Sequence, residues 1–332
     1  MDRLTDASRL NGWIPSRVSW RQGRALVDWC YLGRKHFKDS FFDQTLDECM
    51  GLPFNLLFGQ QTPIEVLGQL HELRPGLKPK GFIFHLSRSG STLVSQMLAA
   101  LPANIVISEA RPIDSVLRAY CHDSSISAGQ RMEWLRWMIS ALAQPRRGGE
   151  QNFFVKFDAW NIFELSQIEL AFPEVPWIFV YRDPIEVLVS QMNHRGAHMI
   201  PGVINPQLFG IELNLLAQIE PEEYCARVLG AICETALELS AKGGLLINYQ
   251  QLPDAVLSSI SEFFGVRWTE AESETMKRAT RHHSKSPEVV YQSDSVQKRT
   301  KASEQLREAA QRWVYPVYGK LEAKRLSLSH QV

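Results

Sequence analysis

The sequence predicts a three-layer α/β domain, a central parallel sheet of about five strands flanked by helices. Two observations predict it. Short apolar runs of strand length recur after residue 80, and each is followed by a segment of helical character. A breaker cluster, Arg74-Pro75-Gly76-Leu77-Lys78-Pro79-Lys80-Gly81, separates this rhythm from what precedes it. The predicted division is therefore a helical N-terminal extension over 1–76 and an α/β domain over 77–332.

The extension is aromatic-rich, with Trp13, Trp20, Trp29, Tyr31, Phe37, Phe41 and Phe42, and has an apolar-periodic stretch from Pro63 to Leu73. Its content reads as mostly helical. In the domain, Gly81 to Leu86 suits a buried parallel strand, and a polar turn follows before a helix from about Thr92 to Leu101. Further strands are expected at Ile105–Ser108, Phe153–Phe157, Trp177–Tyr181 and Leu245–Asn248. Pro184 suits the first position of the helix after the fourth strand. Other helices are expected near 113–121, 128–143, 161–171, 221–241, 251–264 and 303–322.

Lys plus Arg and Asp plus Glu are both 36, and this balance argues against a nucleic-acid binder. The polar start lacks a basic segment followed by an apolar run, so no signal peptide is read, and no apolar stretch approaches 18 residues. The five cysteines are odd in number and form no Cys-x-x-Cys pair. Free thiols in a reducing cytoplasm are the expectation.

The chemistry concentrates in Phe84-His85-Leu86-Ser87-Arg88-Ser89-Gly90-Ser91-Thr92-Leu93. A strand ends, a turn with one glycine follows, and hydroxyl residues open a helix, whose free backbone N–H groups and dipole suit an anion. The nucleotide-triphosphatase pattern Gly-x-x-x-x-Gly-Lys-[Ser/Thr] is absent, and the cation is Arg88. A structural turn with a capping serine is the alternative. A second segment, Ile178-Phe179-Val180-Tyr181-Arg182-Asp183-Pro184, runs off a strand into a helix that carries Ser190. Arg182 stands at the strand's C-terminal end, where open α/β sheets bind ligands. Its alternative is an arginine paired with Asp183 or a helix end.

These two motifs resemble those of the sulfotransferase superfamily, enzymes that use 3′-phosphoadenosine-5′-phosphosulfate (PAPS). Arg88-Ser89-Gly90-Ser91-Thr92 is similar to the family's 5′-phosphosulfate loop. Arg182 through Ser190, with its spacing of eight, is similar to its 3′-phosphate motif. The segment Leu245 to Leu252 and the helix to Phe263-Phe264-Gly265 resemble its late strand–helix unit, so the likeness covers roughly residues 80–320.

The resemblance implies a P-loop-like sulfotransferase fold, PAPS as donor with 3′-phosphoadenosine-5′-phosphate (PAP) as product, and no metal. Arg88, Ser89, Gly90, Ser91 and Thr92 would hold the phosphosulfate, with Arg88 also serving catalysis, and Arg182 and Ser190 the 3′-phosphate. Ser108-Glu109-Ala110-Arg111-Pro112 resembles the Gly-Glu-Glu-Thr-Arg region of tyrosylprotein sulfotransferases, which implies Glu109 as base and Arg111 as a substrate contact. Ser108 and Ala110 depart from that pattern, so the acceptor need not be a peptide tyrosine. Lys156 matches a lysine that contacts the transferring sulfate. In the family a late loop gives a basic residue to the 3′-phosphate, a role that falls to Lys298 or Arg299.

A structural ion pair at a strand end is the alternative for Glu109 and Arg111, and a snorkelling strand-end lysine for Lys156. The partners implied are PAPS and an unidentified small-molecule or peptide acceptor, with a hydroxyl or amine to sulfate. No nucleic acid and no membrane span are expected, and the oligomeric state is open. A catalytically silent nucleotide-binding protein on this scaffold and a small-molecule kinase are the competing functions.

Overall fold

The five apolar runs form one sheet in the computed structural model, which describes residues 6–280, 282–283, 286–290 and 299–329. The strands are β4 (Pro79–His85), β5 (Asn104–Ser108), β6 (Asn152–Lys156), β7 (Trp177–Tyr181) and β8 (Leu245–Asn248), in the order β5-β6-β4-β7-β8. The sheet is parallel and flanked by helices, as the α/β expectation requires. β5 and β7 are buried along their whole length. That explains why their sequences read as continuous apolar runs and do not alternate.

The extension needs a correction. The described residues up to 76 are not helical throughout: after a 3₁₀ turn at Asp6–Arg9 comes an antiparallel hairpin, β1 (Trp13–Arg21) and β2 (Arg24–Tyr31), and β3 (Gln60–Pro63) adds to β2 as a third strand. The two-residue turn Gln22-Gly23 has φ of 49° and 73°, which matches the right-handed twist of the strands. Gln at its first position is a weak hairpin signal beside the usual Asn or Asp. The aromatic residues are strand residues: Trp13 lies opposite Tyr31, and Pro15 opposite Trp29. The helices here are α1 (Phe42–Met50), α2 (Pro53–Leu57) and α3 (Glu65–Leu73).

The chain forms two compact units. One comprises Met1–Phe82, Ser95–Val175 and Thr269–Ala279. It holds the three-stranded antiparallel sheet and the β5–β6 pair, in register from Asn104 opposite Asn152 to Ser108 opposite Lys156. Its helices include α5 (Arg111–Leu117), α6 (Ala128–Leu142) and α7 (Leu165–Ala171), and its core includes Phe82 against Phe157 and Phe172.

The other unit comprises Ile83–Val94, Pro176–Trp268 and Thr280–Val332. It holds the β7–β8 pair, the helices α8 (Pro184–Asn193) and α9 (Pro221–Leu239), and the helices Glu304–Trp313 and Tyr315–Ser329. α4 (Ser91–Ala99) opens within it. Among the described residues no helix is long and apolar enough to cross a membrane.

In the second unit α9 packs closely on the helix Glu304–Trp313 at Gly230. A Cβ there would lie 2.4 Å from the Trp313 carbonyl oxygen, a backbone atom that moves only with its helix. Gly230→Ala is expected to lose about 1–3 kcal/mol of stability through this overpacking. A denaturant melt checks it, and an unchanged midpoint would show that the helices separate without penalty.

Candidate functional site

The second unit holds the phosphate-loop candidate. β4 ends at His85, and the chain then turns through Ser87 and Arg88, both left-handed with φ of 61° and 50°, and Gly90 with φ of 94°. Non-glycine residues in this region cost of order 1–3 kcal/mol each and persist only where neighbours fix them. The fixings are visible here. Leu86 N–H and the Ser89 hydroxyl both donate to the Val180 carbonyl, at 2.9 and 2.7 Å. Ser87 N–H donates to His85 Nδ1 at 2.9 Å, and Gln191 donates to Ser87 Oγ at 2.9 Å.

Gly90 is required by space as well as by φ, because a Cβ would stand 2.7 Å from Tyr249 and 2.9 Å from Leu252. Ser91 and Thr92 are buried at the start of α4, where the first N–H groups have no acceptor within the helix. Arg88 donates through Nη2 to the His194 carbonyl at 2.7 Å. With the Ser89 hydroxyl bonded inward, that residue offers a ligand its backbone, not its side chain.

Arg182 follows β7 and is buried. Its Nε donates to Glu186 Oε2 at 2.6 Å, and its guanidinium lies 4.1 Å over the Tyr249 ring. The other oxygen of Glu186 accepts from Arg299 Nε at 2.9 Å, so one carboxylate joins two predicted phosphate contacts. Asp183 caps α8 by accepting from Ile185 N–H at 3.1 Å, and also receives Arg299 Nη2 at 3.4 Å. Tyr315 donates to Asp183 as well, and burial with that carboxylate pushes its hydroxyl up to about 12. Ser190 is half-buried and sits one turn beyond Glu186 on the same side of α8. Lys298 lies outside the described residues.

The first unit holds the candidate base. Glu109 follows β5 directly and is left-handed, with φ of 54°. Its N–H donates to the Lys156 carbonyl at 2.7 Å, and its Oε1 receives Lys156 Nζ at 2.8 Å. Lys156 closes β6 with none of its side chain exposed. An unpaired ammonium at such depth costs several kcal/mol, so the carboxylate answers a requirement of the fold. Phe41 places its ring 5.0 Å from Nζ.

Arg111, at the start of α5, meets Asp43 through its Nε at 2.6 Å. Asp158, two residues after Lys156, is pushed well above the usual carboxylate range by burial and then by Glu109, Asp114 and Asp43, while Lys156 opposes the shift. Among the described residues no three His, Cys, Asp or Glu side chains are grouped to hold a metal ion.

Glu186, Tyr249, Gln191, Phe41 and Asp43 were not singled out from the sequence. Glu186 had a signal, since it stands four residues after Arg182 at a helix start, where opposite charges meet. Gln191 is a fully buried amide on an apolar helix, and Phe41 and Asp43 belong to a segment with no motif.

The position of Asp158 makes stability pH-dependent. Its folded carboxyl binds a proton more tightly than the unfolded one, so the stability it contributes is full at acid pH and is lost as pH rises through its raised range. Asp158→Asn is expected to flatten the fall in melting temperature above about pH 4. Parallel pH profiles for the two proteins would contradict this.

No curated protein matches the sequence. Among solved structures, a sulfotransferase from Mycobacterium avium is 13% identical, with a TM-score of 0.43 over 66% of this chain and 72% of that one. A sulfotransferase domain from the curacin biosynthetic pathway is 16% identical, with a TM-score of 0.41 over 77% and 98%. A sulfotransferase from Alicyclobacillus acidocaldarius is 14% identical, with a TM-score of 0.43 over 75% and 96%. The model of the sulfotransferase family matches residues 79–270, more than half of the chain and a span that includes both predicted motifs, Glu109 and Lys156. The chain belongs to the sulfotransferase family.

Proposed function

We propose that the chain transfers a sulfuryl group from PAPS to a hydroxyl or amine of an acceptor by in-line displacement, with Glu109 as the base and without a metal. The observation that carries this reading is the Glu109–Lys156 pair at 2.8 Å, made by the two residues for which the family resemblance implies proton removal and charge on the sulfuryl group.

The residues of the second unit fit an anionic nucleotide. Left-handed Ser87 and Arg88 followed by Gly90 turn successive amides into a concave, donor-rich strip at the opening of α4. The missing Cβ of Gly90 keeps that strip open to close approach. The phosphosulfate is held there by Arg88, the amides of Ser89 and Gly90, and Ser91 and Thr92. Arg182, Ser190 and Arg299 take the 3′-phosphate, and Lys298 is kept as a second basic candidate.

In the first unit Glu109 accepts the acceptor's proton as the acceptor oxygen or nitrogen bonds to sulfur. The bond from sulfur to the bridging oxygen breaks, and PAP leaves with the electron pair. Lys156 turns from Glu109 to the sulfuryl oxygens, and Arg88 balances charge on the bridging oxygen. Arg111 holds the acceptor when it exchanges Asp43 for it. Preset cations suffice for this because the transferring group carries less charge than a phosphoryl group.

Glu109→Gln tests the assignment. Turnover with PAPS is expected to fall by about 10²–10⁴, the usual worth of a general base, while PAP affinity is kept. Turnover at the wild-type rate would remove Glu109 as base.

A further inference from the structure

Two arginines from distant parts of the chain meet one carboxylate in the second unit. Glu186 is buried in the first turn of α8, and each of its oxygens receives one Nε: Arg182 at 2.6 Å and Arg299 at 2.9 Å. The arginines stand 117 positions apart in the sequence, and Arg299 has about half of its side chain exposed. In both contacts Nε is a donor to Glu186. A guanidinium is planar, so fixing Nε fixes the plane in which the terminal N–H groups point. The Arg182 guanidinium also lies 4.1 Å over the Tyr249 ring, a second restraint on it.

We propose that Glu186 is a positioning residue for the 3′-phosphate of the nucleotide, orienting Arg182 and Arg299 together so that both forks address one phosphate. This assignment rests on the nucleotide reading above. A carboxylate beside a phosphate site opposes the ligand's charge, and such a group is useful there only if the order it imposes outweighs that repulsion. Two long, rotamer-rich side chains lose much freedom when they grip one anion, and Glu186 removes that freedom before the ligand arrives. Asp183 supports the arrangement from the cap of α8, with the longer contact of 3.4 Å to Arg299 Nη2. Arg307 adds a further restraint by donating to the Arg299 carbonyl at 2.5 Å.

The test compares PAP with 5′-AMP, which lacks the 3′-phosphate, by calorimetric binding to the full chain. Glu186→Ala is expected to weaken PAP by about tenfold or more and to leave 5′-AMP within about twofold of wild type. Arg299→Ala should show the same selective loss, and the double variant should lose less than the sum of the two, since both act on one arrangement. If Glu186→Ala does not fold, Glu186→Gln and Arg299→Ala carry the test through the same ratio of affinities. PAP binding that is unchanged or tighter in the Glu186 variants would overturn the proposal, as would an equal loss for both nucleotides. A wild-type chain that does not prefer PAP to 5′-AMP would remove the 3′-phosphate reading itself, and this assignment with it.

Discussion

A charged side chain withdrawn from water must be answered inside the protein, and in each compact unit that requirement shapes the candidate site. Lys156 shows no surface to solvent, and Glu109 answers it from the end of the neighbouring strand. The geometry that allows this is strained: Glu109 takes a left-handed φ, and its own N–H is tied to the Lys156 carbonyl. The pair therefore fixes the strand end as well as the charge. Nearby, burial pushes the carboxyl of Asp158 toward the protonated form, with Glu109 adding to the shift and Lys156 opposing it. Arg182 follows the same logic in the second unit, where Glu186 answers it in a buried setting. Breaking such pairs by removing one partner leaves an uncompensated charge, which is why a variant of either should be read with its folding state measured alongside.

The loop after β4 shows how strain is held. Two adjacent non-glycine residues are left-handed there, and the backbone is pinned on one side by the Val180 carbonyl and on the other by His85 and Gln191. His85 is thus a buried acceptor for the loop. Gln191 also receives Gly196 N–H at 3.0 Å, so one amide ties the loop to the chain that follows α8. A conformation fixed in this way presents its amides without reorganisation when an anion arrives, the condition under which oriented dipoles are most effective.

The parallel sheet was legible because its strands are buried on both faces and read as uninterrupted apolar runs; Trp177–Tyr181 and Leu245–Asn248 begin and end where the pattern placed them. The hairpin of the extension was not legible. Its turn is Gln-Gly, and Trp and Tyr serve helices and strands alike when the surrounding residues do not alternate cleanly. Among candidate site residues, those in motifs at strand ends stand out in the sequence: Arg88, Glu109, Lys156 and Arg182. Their neighbours Tyr249, Gln191 and Phe41 do not stand out, because they come close only when distant segments fold together. The ion pair of Arg111 with Asp43 belongs to the same class, since its partner lies in the extension, where no motif marks it.

The central claim is that the chain is built for the nucleotide of PAPS, and thermal unfolding with PAP tests it most directly, compared with ATP plus magnesium and with 5′-AMP. A ligand that binds only the folded chain adds about 2.7 kcal/mol at a hundred times its dissociation constant, which a melt resolves easily. The account predicts a clear rise in melting temperature with PAP that neither of the other nucleotides matches. A rise with ATP and magnesium alone, or no rise with PAP, would contradict it.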